Sequence, residues 1–329
     1  MILLTGGTGF LGKYILEELA SRGDRVRLLV RNPDKVRELP SFAEVMQGDV
    51  LDVLSIERAM EDVDYVIHSA AVVSFWKKRH DEMREINIVG TANMVNAALD
   101  RGVKKFVQVS SIAALGRPEN PTGMLDEKTK WVKSKVNPVY GRSKYLAELE
   151  VYRGVEEGMP AAMINPGIIL GAGNGHWDSG SPKIFKIIYE GLKFYNSGAS
   201  CFVSAGDCAR ACHLLLDSEH INGERFVMGA ENMSYKDMFT MVAKHLGVKA
   251  PSILPPPFLS KIVGRLSQFT SNITGKEPLI TPETTRTSSA TFQYDGSKIT
   301  RELDFTYEAI EPVVAEAAKI FLQEHGNPS

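Results

Sequence analysis

The segment that most narrows the folds open to this chain is Thr5-Gly6-Gly7-Thr8-Gly9-Phe10-Leu11-Gly12. It follows a short apolar run, Ile2 to Leu4, and precedes a stretch in which Ile15, Leu16, Leu19 and Ala20 recur at helical spacing. Glycine at 6 permits a tight turn, at 9 a close approach of backbone to a ligand, and at 12 a helix lying hard against the strand. The helix N-terminus then offers unbonded N–H groups and the positive end of its dipole to a pyrophosphate. Such a glycine pattern alone also occurs in ordinary strand-to-helix turns. Its place after the first strand favours dinucleotide binding. Gly7 with Gly12 and Lys13 imitates the start of a nucleoside triphosphate loop, but Tyr14 stands where a hydroxyl residue would hold magnesium, and that reading fails.

The unit then repeats. Val26 to Val30, Ala43 to Gln47, Tyr65 to His68, Phe106 to Val109 and Ala162 to Ile164 read as buried strands, with helices over 81–101 and 140–157. Ile86, Val89 and Leu99 mark apolar positions of the first of these helices, and Gly23 stands where the opening helix should be capped. Strand and helix in alternation predict an α/β protein with a Rossmann-type, doubly wound parallel sheet covered on both faces. The rhythm stops after Pro166. Residues 171–182 are glycine-rich, Pro251 to Pro257 holds four prolines, and only the tail near 310–324 again looks helical. The expected organisation is a dinucleotide-binding domain over 1–170, rejoined by about 200–230, with a smaller substrate-binding lobe from 171–199 and 231–329.

Composition excludes several function classes. The 329 residues carry 38 basic and 40 acidic side chains, a net charge of −2, which gives no general field for nucleic-acid phosphates. No run approaches the about 20 apolar residues that span a bilayer. The start of the chain goes straight into its glycine turn and fits neither a signal nor a transit peptide. A soluble cytoplasmic protein is expected. Three cysteines make no disulfide scaffold. Cys201, Cys208 and Cys212 cluster near His213, but adjacent Cys212 and His213 would point apart on one helix, so buried free thiols and no metal are expected.

Two segments carry chemistry. At the end of the second strand, where an acid would accept from the 2′-hydroxyl of NAD, the chain has Arg31, which would bind a 2′-phosphate through charge-assisted bonds. Lys35 and Arg37 add positive charge, so NADP is favoured and NAD is the second choice. Asp49, with Val50 after it, ends the third strand and would reach the adenine amino group, or cap a helix. The other segment is Tyr140-Gly141-Arg142-Ser143-Lys144. A separation of four puts Tyr140 and Lys144 on one helix face, where the ammonium should lower the tyrosine pKa and suit it to proton relay. With the glycine turn, and with Val109-Ser110-Ser111-Ile112 ending the fifth strand, the pair becomes specific.

On these residues the chain resembles the extended short-chain dehydrogenase/reductases, the superfamily that includes the NAD-dependent epimerase/dehydratases. The likeness runs from Thr5 to Gly171. His68-Ser69-Ala70-Ala71 resembles the fourth-strand motif beside the cofactor, and Asn87-Ile88-Val89-Gly90-Thr91 the central helix. The resemblance implies that Ser111, five residues before Gly116, holds the substrate oxygen with Tyr140, Ser110 being the fallback. Lys144 would hold the nicotinamide ribose, and Asn87 would support the helix and a water relay. Cofactor contacts are implied from the turn through Phe10, Leu11 and Gly12, from Ser69, Ala70 and Ala71, from Val109, and from Pro166, Gly167 and Ile168. The helices over 81–101 and 140–157 resemble those of a homodimer bundle.

Arg31 and Asn165-Pro166-Gly167 resemble the dihydroflavonol-reductase-like branch, itself similar to 3β-hydroxysteroid dehydrogenases. Sugar-nucleotide epimerases instead carry an acid and Arg-Pro at those places. Ser204-Ala205-Gly206-Asp207 matches a later family motif only in part. The expected substrate is a small carbonyl or alcohol compound, with Phe75 and Trp76 as an apolar wall or as core beneath a loop, and His176 and Trp177 entering the cleft or lying on a surface loop. Lys77 to His80 reads as a solvated charge run, the alternative being a patch that attracts an anionic substrate. The rivals are a nucleotide-sugar epimerase or dehydratase with retained cofactor, and a non-catalytic dinucleotide sensor. Tyr140 and Lys144 count against the sensor.

Overall fold

The computed structural model describes residues 1–36, 43–119, 123–256 and 281–326. Arg37 and Pro257, counted above, lie outside them. Seven strands form one parallel sheet: β1 (Ile2–Thr5), β2 (Val26–Val30), β3 (Ala43–Gln47), β4 (Tyr65–His68), β5 (Lys105–Val109), β6 (Ala161–Pro166) and, late in the chain, β9 (Glu224–Met228). Their order is β3-β2-β1-β4-β5-β6-β9, so the winding reverses between β1 and β4. A second sheet has the order β10-β8-β7, built from β7 (Ile168–Leu170), β8 (Ala199–Ser204) and β10 (Glu231–Ser234). Nothing in the alternation of apolar residues had announced it.

Both faces of the large sheet are covered, and the two-residue period of a strand decides which side chain goes where. Leu4, Leu28, Val107 and Ile164 turn toward one face, packed with α1 (Phe10–Ser21). Leu3, Val66, Phe106 and Met163 turn to the other. That second face is covered by α2 (Val53–Ala59), a short α3 (His80–Arg84), α4 (Gly90–Arg101) and α5 (Val139–Glu156). A third core, with Phe185, Phe202, Val242, Val314 and Phe321, joins β8 to α6 (Lys183–Tyr189), to α8 (Tyr235–Leu246) and to the helix Ile310–His325. Between α6 and α8, α7 (Ala205–Asp217) returns to the first face beside α1, carrying buried Cys208 and Cys212.

The helix expected over 81–101 is interrupted. A wide π turn, Glu85–Val89, separates α3 from α4. It contains Asn87, whose side chain is engaged with the loop after β4, and is followed by Gly90, where a Cβ would lie 2.7 Å from Val50 Cγ2. The opening turn is tighter still. A Cβ on Gly12 would stand 2.1 Å from the Gly6 carbonyl oxygen, so α1 lies against the turn in a way only glycine allows. Gly12→Ala should therefore cost at least about 3 kcal/mol, the upper end of overpacking penalties. Gly206→Ala, whose Cβ would find its nearest neighbour at 3.5 Å, should leave stability unchanged or slightly raised. Urea midpoints of the two variants check the contrast.

Candidate active site

Where the strand order reverses, the carboxyl ends of β1, β2, β3 and β4 enclose a groove of about 250 Å³. Gly6, Thr8 and Gly9 line it from the turn, Arg31 from the end of β2, Asp49 and Val50 from the end of β3, and Ser69, Ala70 and Ala71 from beyond β4. A Cβ at Gly6 would sit 2.7 Å from Ala70 N, so the floor is bare backbone. Gly9 is the N-cap of α1 and supplies no side chain to its first-turn N–H groups. These features fit the pyrophosphate of a dinucleotide. Phe10 and Leu11 instead turn inward, Phe10 edge-on to Tyr14 at 5.7 Å and Leu11 into the sheet core, so only their backbone serves the turn. Arg31 is exposed, and its charge is felt by Glu82 on α3. Asp49 Oδ1 accepts from Leu51 N–H at 3.0 Å while the residue borders the groove.

The wall beyond β4 is held by a buried polar chain. Thr91 Oγ1 donates to the Asn87 carbonyl at 2.7 Å, so it must accept from His68 Nε2–H at 3.2 Å. His68 Nδ1 then accepts from Thr5 Oγ1 at 2.6 Å, and Thr5 accepts from Ala70 N–H at 3.1 Å. Burial, reinforced by Lys144, holds the His68 pKa down to about 3, so the ring is neutral. Asn87 locks the same loop by accepting from Val72 N–H at 2.7 Å and donating to its carbonyl at 2.9 Å, and it also donates to Ser143 Oγ at 3.0 Å. Those bonds employ the whole amide, which makes it a clamp between the loop and α5.

On α5 the side chains of Tyr140, Lys144 and Glu148 recur every fourth residue along one stripe. Gly141 makes the approach possible, since a Cβ there would meet the Ala113 carbonyl at 2.7 Å. The Ser111 side chain lies close enough to act on the Tyr140 phenol, and Ser111 Oγ accepts from Ala113 N–H at 3.2 Å. Ser110 is committed elsewhere, its Oγ donating to Glu148 Oε1 at 2.5 Å. Lys144 is 2% exposed and donates from Nζ to the Val109 carbonyl at 2.8 Å. Burial lowers its pKa to about 8, against the pull of Glu148.

The expected lowering of the Tyr140 pKa does not occur here. Burial raises it to about 12, opposed only by the Ser111 bond. The lysine ammonium is spent on a carbonyl, and the cost of a desolvated phenolate outweighs what reaches it.

Phe75 meets Tyr140 edge to face at 6.2 Å, whereas Trp76 is half-buried beneath the Lys78 ammonium, 5.2 Å from its ring. His176 is half-buried beside the glycine turn. Its ring lies near the Thr8 backbone, on a loop held to α1 by Lys13 Nζ, which donates to the Asn174 carbonyl at 2.6 Å, and by Tyr14 Oη, which donates to the Ala172 carbonyl at 3.2 Å. Trp177 is core, packed on Phe185 and Phe321, and its indole N–H donates to Glu324 at 2.6 Å. Pro166, Gly167 and Ile168 stand at the carboxyl end of β6, two strands beyond β4, where Gly167 N–H donates to the Met228 carbonyl at 2.9 Å. The three cysteines are buried thiols whose pKa values burial pushes up, that of Cys201 to about 12. Among the described residues no three His, Cys, Asp or Glu side chains are placed to hold a metal, and no helix is long and apolar enough to cross a membrane.

Sequence reasoning passed over Glu148. It is 1% exposed and accepts from Ser110, from Asn165 Nδ2 at 2.5 Å and from Arg225 Nη1 at 3.0 Å. Asn165 Nδ2 also donates to the Ser111 carbonyl at 2.9 Å, so the carboxylate steadies the loop that carries Ser111. Its spacing of four from Lys144 was the only available signal.

A parallel sheet with a dinucleotide groove at its switch point, and Ser, Tyr and Lys side chains gathered at the neighbouring strand ends, defines the extended short-chain dehydrogenase/reductase class. The model of the NAD dependent epimerase/dehydratase family matches residues 2–229, and the chain belongs to that family. It is 28% identical over 335 residues to a putative dihydroflavonol 4-reductase of Synechocystis sp., covering 98% of this chain and 94% of the relative. The crystal structure of gox2253 superposes with a TM-score of 0.82 at 30% identity, covering 100% of this chain and 99% of that one. The dTDP-glucose 4,6-dehydratase of Streptomyces venezuelae, solved with NAD bound, shares the fold at a TM-score of 0.77 and 19% identity, covering 99% and 98%.

Removing the buried carboxylate should be severe. Glu148→Leu strands the Arg225 charge and should cost about 3–5 kcal/mol, read as a lower urea midpoint. Glu148→Gln, which keeps an acceptor for Ser110, should cost less.

Proposed function

We infer that the protein is an NADP-dependent oxidoreductase that transfers a hydride between nicotinamide and a small carbonyl or alcohol compound. One observation carries this reading: the Tyr140 phenol and the Ser111 side chain lie together one helical turn from buried Lys144, at the strand ends beside the groove. The nicotinamide, when bound, is the hydride donor or acceptor. Ser111 Oγ and Tyr140 Oη hold the substrate oxygen, and Tyr140 gives it a proton in reduction or takes one in oxidation. Lys144 holds the nicotinamide ribose, and Asn87 keeps the helix and loop in register around them. Phe75, against Tyr140, serves as one apolar wall for the substrate, and residues 171–199 with 231–329 supply the rest of its pocket. The exposed Val89 and Leu149 suit a homodimer formed across the face of α5 and the π turn.

The relative described as a dihydroflavonol 4-reductase supports a reductase over an epimerase or dehydratase. So does Asn165, engaged inward with Ser111 and Glu148 where many nucleotide-sugar enzymes carry arginine. Net consumption of NADPH with a ketone and alcohol panel separates the two, because a retained cofactor gives none.

Tyr140→Phe should lower kcat/KM by about 10²–10⁴-fold, the usual worth of a positioned proton donor. Wild-type turnover in that variant would end the proton role. In the native protein the phenol, at about 12, stays protonated through neutrality, and Lys144 is the group that titrates first, near 8. The reduction rate should therefore be flat through neutrality and fall above about pH 8, as the ammonium is lost, in initial-rate measurements across that range.

Arg31 supports the choice of NADP. NADPH should be preferred over NADH by about tenfold or more, equivalent to about 1.4 kcal/mol, and Arg31→Ala should erase the ratio. An equal or reversed preference in the native protein would overturn the assignment.

A further inference from the structure

Outside the groups used above, one inward-lying arginine among the described residues has no carboxylate within ion-pair reach. Arg117 follows Gly116, a turn residue with φ of +82°, at the far end of the loop that begins at Ser111. Its backbone N–H donates to Asn137 Oδ1 at 2.7 Å, three residues before Tyr140, which ties it to both segments bearing the two hydroxyls. Its Nε donates to Tyr294 Oη at 3.3 Å, and its guanidinium lies 5.3 Å from the centre of the Phe292 ring. Those two contacts fix the plane of the fork and leave both Nη groups unused. The groups whose charge would act on it are the Tyr294 and Tyr235 hydroxyls and the Cys201 thiol, all neutral at ordinary pH because burial raises them. No carboxylate is among them.

The other deeply placed cations are answered from within the chain. Arg225 meets Glu148, Lys105 meets the Ser218 and Ile221 carbonyls, and Lys144 meets Val109. Enclosing a charge without a partner is expensive, and a planar guanidinium is the cation best suited to take a carboxylate or phosphate through two parallel bonds. Arg117 is only half-buried, so a ligand can reach it. It also stands where the loop after β5 meets β8 and the residues Phe292 and Tyr294, on the side of the smaller lobe.

We propose that Arg117 is the binding site for an anionic group, carboxylate or phosphate, carried by the substrate, which makes the substrates acidic carbonyl or alcohol compounds. The reacting end of this assignment rests on the reductase reading above; the anion site does not.

The test compares NADPH-dependent reduction of 4-carboxybenzaldehyde and 4-formylphenyl phosphate with that of neutral 4-methylbenzaldehyde. Native protein should favour at least one anionic aldehyde by about tenfold in kcat/KM, and the one favoured identifies the anion. Arg117→Met should bring the anionic-to-neutral ratio close to one, and Arg117→Lys, which keeps charge without the fork, should give an intermediate ratio and stands in if the Met variant does not fold. A native protein with no anionic preference, or a ratio unchanged in both variants, overturns the proposal. Should no aldehyde be reduced, the reductase reading fails and the site is read directly by calorimetric titration with benzoate and inorganic phosphate. Saturable binding that Arg117→Met abolishes supports the site, and absence of binding to native protein refutes it. The melting temperature of Arg117→Met should hold or rise, since a residue kept for a ligand leaves the fold no weaker when removed.

Discussion

Burial of Lys144 sets the terms for the rest of the site. An ammonium at the end of a parallel sheet, shut from water, must be met by fixed dipoles or be driven neutral. The Val109 carbonyl meets it directly, and Glu148 supports it one helical turn further along α5. Glu148 is in turn anchored by Ser110, Asn165 and Arg225, from β5, β6 and β9. A single helix stripe thus connects buried Lys144 to three neighbouring strands. The Arg225 end reaches further, donating to the Glu127 and Thr129 carbonyls and so binding down the loop between β5 and α5.

The first half of the chain was legible because a parallel sheet writes itself into sequence as short apolar runs separated by amphipathic helices. The expected strands Val26 to Val30, Ala43 to Gln47 and Tyr65 to His68 match β2, β3 and β4. The π turn within 81–101 was not legible, since an extra residue in a helix changes little in the apolar pattern when the cause is a side chain, Asn87, reaching a distant loop. The second sheet was hidden for a related reason. Its β10 is half-buried throughout and reads Glu231, Asn232, Met233, Ser234, with no apolar alternation to betray a strand.

The site shows the same division. Tyr140 and Lys144 are linked by helix spacing, which sequence reveals, and Ser111 by its place at a strand end. The groups that hold them, Gly141, Glu148 and the Thr5, His68 and Thr91 chain, act through contacts between segments far apart in the chain, and no local pattern shows that. The placement of His176 has the same origin. A glycine-rich loop suggests freedom, yet Lys13 and Tyr14 on α1 each capture one of its carbonyls and bring the ring to Thr8.

The ionisation of the pair follows from the same burial. A phenol raised to about 12 holds its proton throughout the neutral range, and an acid must hold its proton in order to give it. Burial beside Phe75 therefore keeps the Tyr140 phenol protonated, against the lowering pull of its contact with Ser111. A phenolate there needs an added positive charge close enough to offset its desolvation, and Lys144, turned toward Val109, does not provide it in this arrangement.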